Sequence, residues 1–372
     1  MTTAFINRIA TAVPAHDIHE AFLRFAQAQL HGDRRGTLLF RRMAERSGIE
    51  HRYSCLPLEA IPEESGGQGR FYRRGGFPDT AARMRMFEQH APGLAATAVD
   101  RLRLGPDRSR ISHLIITSCT GFSAPGLDLE LVNRCGLSPS IERTMVGFMG
   151  CYAAINALKL ARHIVRSERG ARVLTVNLEL CSLHLHDTTD IEQMLTFMLF
   201  ADGCAAALVT AEPDGAALDS FHAVVVPDTP DLITWHIRNS GFDMTLSGAV
   251  PAAIEDALRN GTGIVLKGLP PDAVDLWAVH PGGRTVLDAV ERAFELAPPA
   301  LAASREVLRR YGNMSSATVM FVLERLMREA RHGAHGCAMS FGPGMVAETM
   351  RFHAVTPAAG PARHESEYAE TI

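Results

Sequence analysis

The stretch VGFMGCYAAINALKLA, residues 146–161, decides how this chain folds. It opens at the end of a β-prone run, RTMVGF (143–148), turns through Gly150-Cys151, and enters AAINALKLARHIVRSER (153–169). That segment has apolar residues at helical spacing and basic residues in its last turns, where a helix C-terminus favours cations. Gly170 reads as its stop, and RVLTVNL (172–178) follows as a second β-rich run. Strand, tight turn, helix and strand in close succession are the local pattern of α/β layers. Cys151 stands at the turn, where the positive end of a helix favours thiolate over thiol. The bland reading is a small buried apolar residue, the usual fate of a free cysteine. The segment alone does not choose between them.

Outward from it, residues 16–31 read as an amphipathic helix. Residues 32–75, with RRMAERSGIEHRY (41–53) and FYRRGG (71–76), read as loop and short helix with basic faces. A helix is expected over 80–103, with buried strands at SHLIITS (112–118) and CAAALVT (204–210). The second half repeats the rhythm: a strand at 274–279, helices near 283–295, 299–310 and 315–331, and strands near 336–341 and 346–354. Two similar βα blocks suggest a duplicated α/β architecture, divided as residues 1–220 and 221–372. The Pro-, Ala- and polar-rich end from 356 onward reads as a frayed tail.

The 372 residues are 47% hydrophobic and 21% charged, ordinary for a globular chain and ample for a large core. A net charge of -4 points away from non-specific nucleic-acid binding. No stretch is apolar enough for a membrane span, and the N-terminus has no signal-peptide pattern. The seven cysteines form no CxxC or Cys/His cluster, which argues against a structural zinc site. Their odd number fits reduced thiols in a cytoplasmic protein.

Two further segments bear chemistry. In LWAVHPGGRTVLDAVE (276–291), His280 ends an apolar strand and precedes Pro281-Gly282-Gly283. Strand ends are where α/β sheets place their chemistry, and glycines let backbone approach a ligand. In REVLRRYGNMSSATVMFVLERL (305–326), Asn313 precedes a helix with Ser315 or Ser316 as its expected cap. The bland readings are a hydrogen-bonded strand-end histidine and a Gly-Asn turn.

Together these segments, in the order Cys, His, Asn, resemble the type III polyketide synthases, the chalcone synthase-like group of the thiolase fold. The matching pieces are GCYAAINALKLA (150–161), LFADGCAAALV (199–209), HPGGRTVLDAVE (280–291), LRRYGNMSSATVMFVLE (308–324) and SFGPGMVAET (340–349). The resemblance implies a five-layer αβαβα fold and an iterative enzyme. Cys151 would be acylated by a starter acyl-CoA. His280 and Asn313 would hold the charge formed as malonyl-CoA loses CO2, with His280 also helping to keep Cys151 a thiolate. Product release would follow lactonisation, aldol closure or hydrolysis.

It further implies a gatekeeper at Phe200, CoA contacts at Arg42 and Arg46 with Leu39 in place of a third basic residue, and a cavity wall shaped by Ser340 to Gly344, including Gly342. Cavity-lining threonines are replaced by Cys119, Cys181 and His184, a flanking Phe by Met244, and a Met inserted into the partner's cavity by Ala124. The run ELCSLHLH (179–186) is most similar to bacterial members that make alkylresorcinols or alkylpyrones from long fatty acyl starters. The family implies a homodimer using acyl-CoA and malonyl-CoA without metal or organic cofactor. Whether the starter arrives on CoA or on an acyl carrier protein stays open. So does the role of His184, as a donor to the polyketide or as packing. A single-round ketoacyl-acyl carrier protein synthase III-like enzyme and a Cys-dependent thioester hydrolase are the competing readings.

Overall fold

A computed structural model describes residues 2–30, 32–62, 70–266 and 268–355, the side chains of 262–264 excepted. The expected frayed tail lies outside these residues. The first half runs β1 (Phe5–Ala12), β2 (His16–Asp17), α1 (His19–Gln29), α2 (Arg34–Ser47), β3 (Tyr53–Ser54), α3 (Thr80–Arg101), β4 (His113–Ser118), α4 (Leu127–Arg134), β5 (Glu142–Gly147), α5 (Ala153–Ser167), β6 (Val173–Leu180), α6 (Ile191–Leu199) and β7 (Asp202–Thr210). The second half continues with β8 (Gly215–Val225), β9 (Ile233–Arg238), β10 (Gly241–Leu246), α7 (Val250–Val265), β11 (Leu276–Val279), α8 (Arg284–Ala293), α9 (Ala302–Tyr311), α10 (Thr318–Glu329), β12 (His335–Gly342) and β13 (Val346–Val355).

The main sheet has the order β11-β12-β13-β8-β1-β7-β6-β4-β5. Its first- and second-half strands join where β1 pairs antiparallel with β8 at Phe5–Ala217 and Ile6–Ala216. Strands β4, β6 and β7 are buried along their whole length. This is why they read as continuous apolar runs: both faces are covered.

Successive residues serve different cores. Leu114, Ile116, Leu174 and Val176 pack with α1, α3, α4 and α6. Ile115, Val173, Ala205 and Ala207 pack inward with α5 and α10. Ala278, Ala338 and Phe352 from the second half enter that same middle core, while Trp277, Val279, Cys337 and Met339 face α7, α8 and α9. Three helical layers around two half-sheets make the expected five-layer thiolase-like α/β arrangement.

Several expectations shift. The basic segment holds a 14-residue helix, α2, capped by Asp33 and ended by Gly48 at φ 73°. Helix α5 stops at Ser167, ahead of Gly170, because Glu168 is already extended. The cap of α10 is Ala317, with Ser315 and Ser316 in a preceding 3-10 turn. A division at 220/221 would cut β8, so the break between halves belongs in the turn at 211–214. Strands β1 and β8, the β9–β10 hairpin and helices α4, α6 and α7 were not read from the sequence. Among the described residues, no helix is long and apolar enough to cross a membrane, and all seven cysteines are free.

Leu158 of α5 is fully buried in the middle core. Leu158→Ala is expected to lower unfolding stability by about 2–5 kcal/mol in urea titration; a change below ~1 kcal/mol would contradict the close packing of that layer.

Candidate active site

Cys151 lies in a 3-10 turn, Gly150–Tyr152, at the head of α5. Gly150 has φ +75°, and a Cβ there would lie 2.2 Å from Pro343 Cδ. Only glycine reconciles that backbone with that neighbour. Gly342 makes the reciprocal fit: its Cβ would come 2.7 Å from Tyr152 Cδ1 and 3.3 Å from the Cys151 backbone nitrogen. Gly342 thus braces the turn, and it is Pro343 that lines the cavity beside Cys151.

The helix-start argument for a thiolate does not govern the free protein. Cys151 is 6% exposed, and burial pushes its thiol up to about 12, a hydrogen bond with Ser315 working against that. The thiol donates to Ser315 Oγ at 3.7 Å. His280, just after β11, is buried, and burial lowers its pKa to about 3, so it is neutral. Neither ring nitrogen has a hydrogen-bond partner among the described residues. Burial thus disfavours the charged form of each group.

Asn313 follows Gly312, whose φ of +68° lets the chain pass Leu199: a Cβ at 312 would sit 2.9 Å from the Leu199 carbonyl oxygen. The Asn313 backbone donates to Leu199 O at 2.8 Å and accepts from Ala201 N at 2.9 Å, clamping it beside Phe200. Its Oδ1 accepts from Ser315 N at 2.8 Å, and its Nδ2 donates to Gly282 O at 3.1 Å. Cys151, Ser315, Asn313 and Gly282, two residues past His280, therefore form one chain of contacts. The turn-and-cap reading of Asn313 is correct for its oxygen; its amide retains a second N–H.

The cavity beside Cys151 is lined by Cys119, Cys181, His184, Phe197, Phe200, Trp235 and Met244, among others, and has a volume of about 40 Å³, room for about three waters. A second cavity of about 30 Å³ lies beyond a shared wall of Cys181, Phe197 and Phe200. The Cys119 sulfur accepts from Gly150 N at 2.9 Å. His184 is packing. It stacks on Phe242 at 4.2 Å, its Nε2 donates to Thr120 O at 2.7 Å, and its Nδ1 accepts from Phe242 N at 3.1 Å. No ring nitrogen remains for a substrate. Arg42 and Arg46 are exposed on α2, outside the cavity.

Sequence reading passed over Glu179, at the end of β6. It is fully buried; burial raises its pKa to about 7 against hydrogen bonds that lower it. The carboxylate accepts from Ser316 Oγ (2.6 Å), Cys119 N (2.9 Å) and Thr120 Oγ1 (2.9 Å), tying the ends of β4 and β6 to the turn before α10. A lone Glu in the apolar run RVLTVNLEL (172–180) was the available signal. Ser315 and Trp235, whose Nε1 donates to Cys119 O at 2.8 Å, carried no comparable signal. His113, Glu142 and Glu168 place ligand-type atoms within 4.8 Å of one another, but His113 starts β4, at the end opposite Ser118.

Comparison with known proteins gives one family. Models of "Chalcone and stilbene synthases", N-terminal and C-terminal domains, match residues 3–213 and 217–356. The chain is 34% identical over 367 residues to "Alpha-pyrone synthesis polyketide synthase-like Pks18" of Mycobacterium tuberculosis, covering 94% of this chain and 91% of that protein. It is 34% identical over 339 residues to bisdemethoxycurcumin synthase of Oryza sativa subsp. japonica, covering 85% and 83%. Among solved structures, PKS-I from the brown alga Ectocarpus siliculosus superposes with a TM-score of 0.84 at 30% identity, covering 95% and 99%.

With burial the main cause raising the thiol to about 12, reactivity at neutral pH needs a proton acceptor, and burial lowers His280 to about 3, favouring its neutral form. Iodoacetamide alkylation of Cys151 at pH 7 is expected to fall by about tenfold or more in His280→Ala, and then to rise steadily with pH through the alkaline range. An unchanged rate and pH profile would remove His280 as that acceptor.

Proposed function

The chain belongs to the chalcone and stilbene synthase family, the type III polyketide synthases, and from that premise we propose that Cys151 is its nucleophile and His280 and Asn313 its charge-stabilising donors. As an acyltransferase of this family it uses CoA thioesters. In the proposed cycle, Cys151 gives its proton to His280 and attacks the starter thioester, and CoA leaves as its thiol. Malonyl-CoA then loses CO2, and the electron pair of the broken carbon–carbon bond becomes an enolate. The single N–H of neutral His280 and the spare N–H of Asn313 bind that enolate oxygen. Its carbon attacks the Cys151 thioester, and thiolate is the leaving group. Repeated rounds give a chain that closes to a pyrone or resorcinol-type product; the alpha-pyrone synthesis in the name of the mycobacterial relative supports the pyrone.

The observation that carries this reading is His280. A buried imidazole without partners costs about 1–3 kcal/mol, and such groups persist where function needs them. A substrate carbonyl supplies the missing partner. Donors fixed in a dry site stabilise developing charge far better than in water.

The halves divide the labour in this reading. The first carries the nucleophile, and the second the donors. The family's homodimer is supported by exposed apolar side chains at the sheet edge, Met145 on edge strand β5, Met149 just after it and Phe122. Seven free thiols suit a cytoplasmic setting.

Cys151→Ala is expected to abolish the acyl adduct seen by intact-protein mass spectrometry with acyl-CoA; an adduct on another residue would displace Cys151. His280→Ala and Asn313→Ala are each expected to slow CO2 release from malonyl-CoA by about 10²–10³-fold. Unchanged release in both would refute their assignment, and products with a single extender unit would refute iteration.

A further inference from the structure

Helix α2 holds five arginines and one glutamate, RRGTLLFRRMAERS, on a chain whose net charge is -4. Its inner face is anchored by Phe40 in the first-half core. The outer face is unusual. Leu39, Arg42, Met43 and Arg46 follow i, i+3, i+4, i+7 spacing and form one exposed stripe, flanked by Arg35 and Leu38. Leu38, Leu39 and Met43 are 51%, 45% and 36% exposed. Arg41 pairs with Glu45, but Arg35, Arg42 and Arg46 form no ion pair among the described residues.

The helix stands at the site's approach. It packs on α6, which ends at Phe200. The Arg46 carbonyl accepts from Arg284 Nη1 at 3.2 Å, and Arg284 directly follows His280-Pro-Gly-Gly. The phosphates of a CoA account for Arg42 and Arg46 but not for three wet apolar side chains beside them. Arginine and methionine interleaved with leucine is protein-interface chemistry. A helix lying on a bilayer segregates its apolar and basic residues to opposite faces, and this stripe mixes them.

We propose that the outer face of α2 docks an acidic, helical acyl-carrier protein, which delivers its phosphopantetheine-borne acyl thioester to Cys151. The proposal rests on the reading of Cys151 as the acylated nucleophile. Arginines meet the carrier's carboxylates, and Leu38, Leu39 and Met43 cover its apolar ridge. The transfer is thioester exchange: the Cys151 sulfur bonds to the acyl carbon, and the pantetheine sulfur leaves with the proton.

The test compares two donors, hexadecanoyl-CoA and a hexadecanoyl-charged bacterial acyl carrier protein, with acylation read by intact-protein mass. Both are expected to load the native enzyme. Arg35→Glu/Leu38→Ser/Met43→Ser is expected to slow loading from the carrier about tenfold or more, the equivalent of one lost interface contact, and to leave loading from CoA within about twofold. Loading from CoA is also the check that the variant is folded. Native enzyme that loads from CoA but not from the carrier overturns the docking proposal, as does a variant that loads equally from the carrier. Binding to phosphatidylglycerol vesicles that the variant loses, with carrier loading unaffected, would make the face a membrane contact and likewise overturn it. Equal loading of native enzyme and Cys151→Ala would instead reject the role of Cys151.

Discussion

Pro343 sits where a side chain on Gly150 would have to be, its Cδ 2.2 Å from the Cβ position. Gly342 in turn leaves no room for a Cβ against Tyr152. Two loops, one from each half, are interlocked with glycine on both sides, and the nucleophile lies between them. A third glycine, Gly312, lets the Asn313 segment lie against Leu199. The site is therefore positioned by backbone meeting backbone or ring, which tolerates less displacement than side-chain packing. The five-layer architecture is what brings these loops together: α5 and α10 share the middle core, and the turns before them carry Cys151 and Ser315.

Desolvation then sets the electrostatics. Burial pushes the Cys151 thiol up to about 12, His280 down to about 3, and Glu179 up to about 7. Each is shifted toward its neutral form. Charge enters with the substrate. A dry surrounding makes every fixed dipole count for more when an enolate forms, and it also withholds the protons that would quench one.

Most of the alternation of strands and helices was legible because the central strands are apolar on both faces and the buried helices periodic. Strand β1 was not, although it occupies the middle of the sheet. FINRIATA mixes Asn7 and Arg8 into the run, and their partners, Glu212 and Asp214 carbonyls for Asn7 and Asp107 for Arg8, come from far along the chain. His280 and Asn313 stand at glycine-marked turns, but those turns alone favoured the bland readings, and it was the family resemblance that singled the two residues out. Glu179 was not legible, since one acidic residue in an apolar strand has meaning only once Ser316 and Thr120 are folded against it. The helix start favouring a thiolate at Cys151 can be read locally, whereas the burial that opposes it comes from the whole fold.

The walls of the cavity beside Cys151 are unequal. His184 is held by two backbone hydrogen bonds and a stacked ring, and Trp235 by Cys119 O. These form the rigid side. Cys181, Phe197, Phe200 and Met244 have no side-chain hydrogen bond among the described residues, and their sulfur or ring groups can turn at modest cost. Three of those four also wall off the second cavity. Phe197 and Phe200 are among the freer side chains, and they separate the cavity beside Cys151 from the second one.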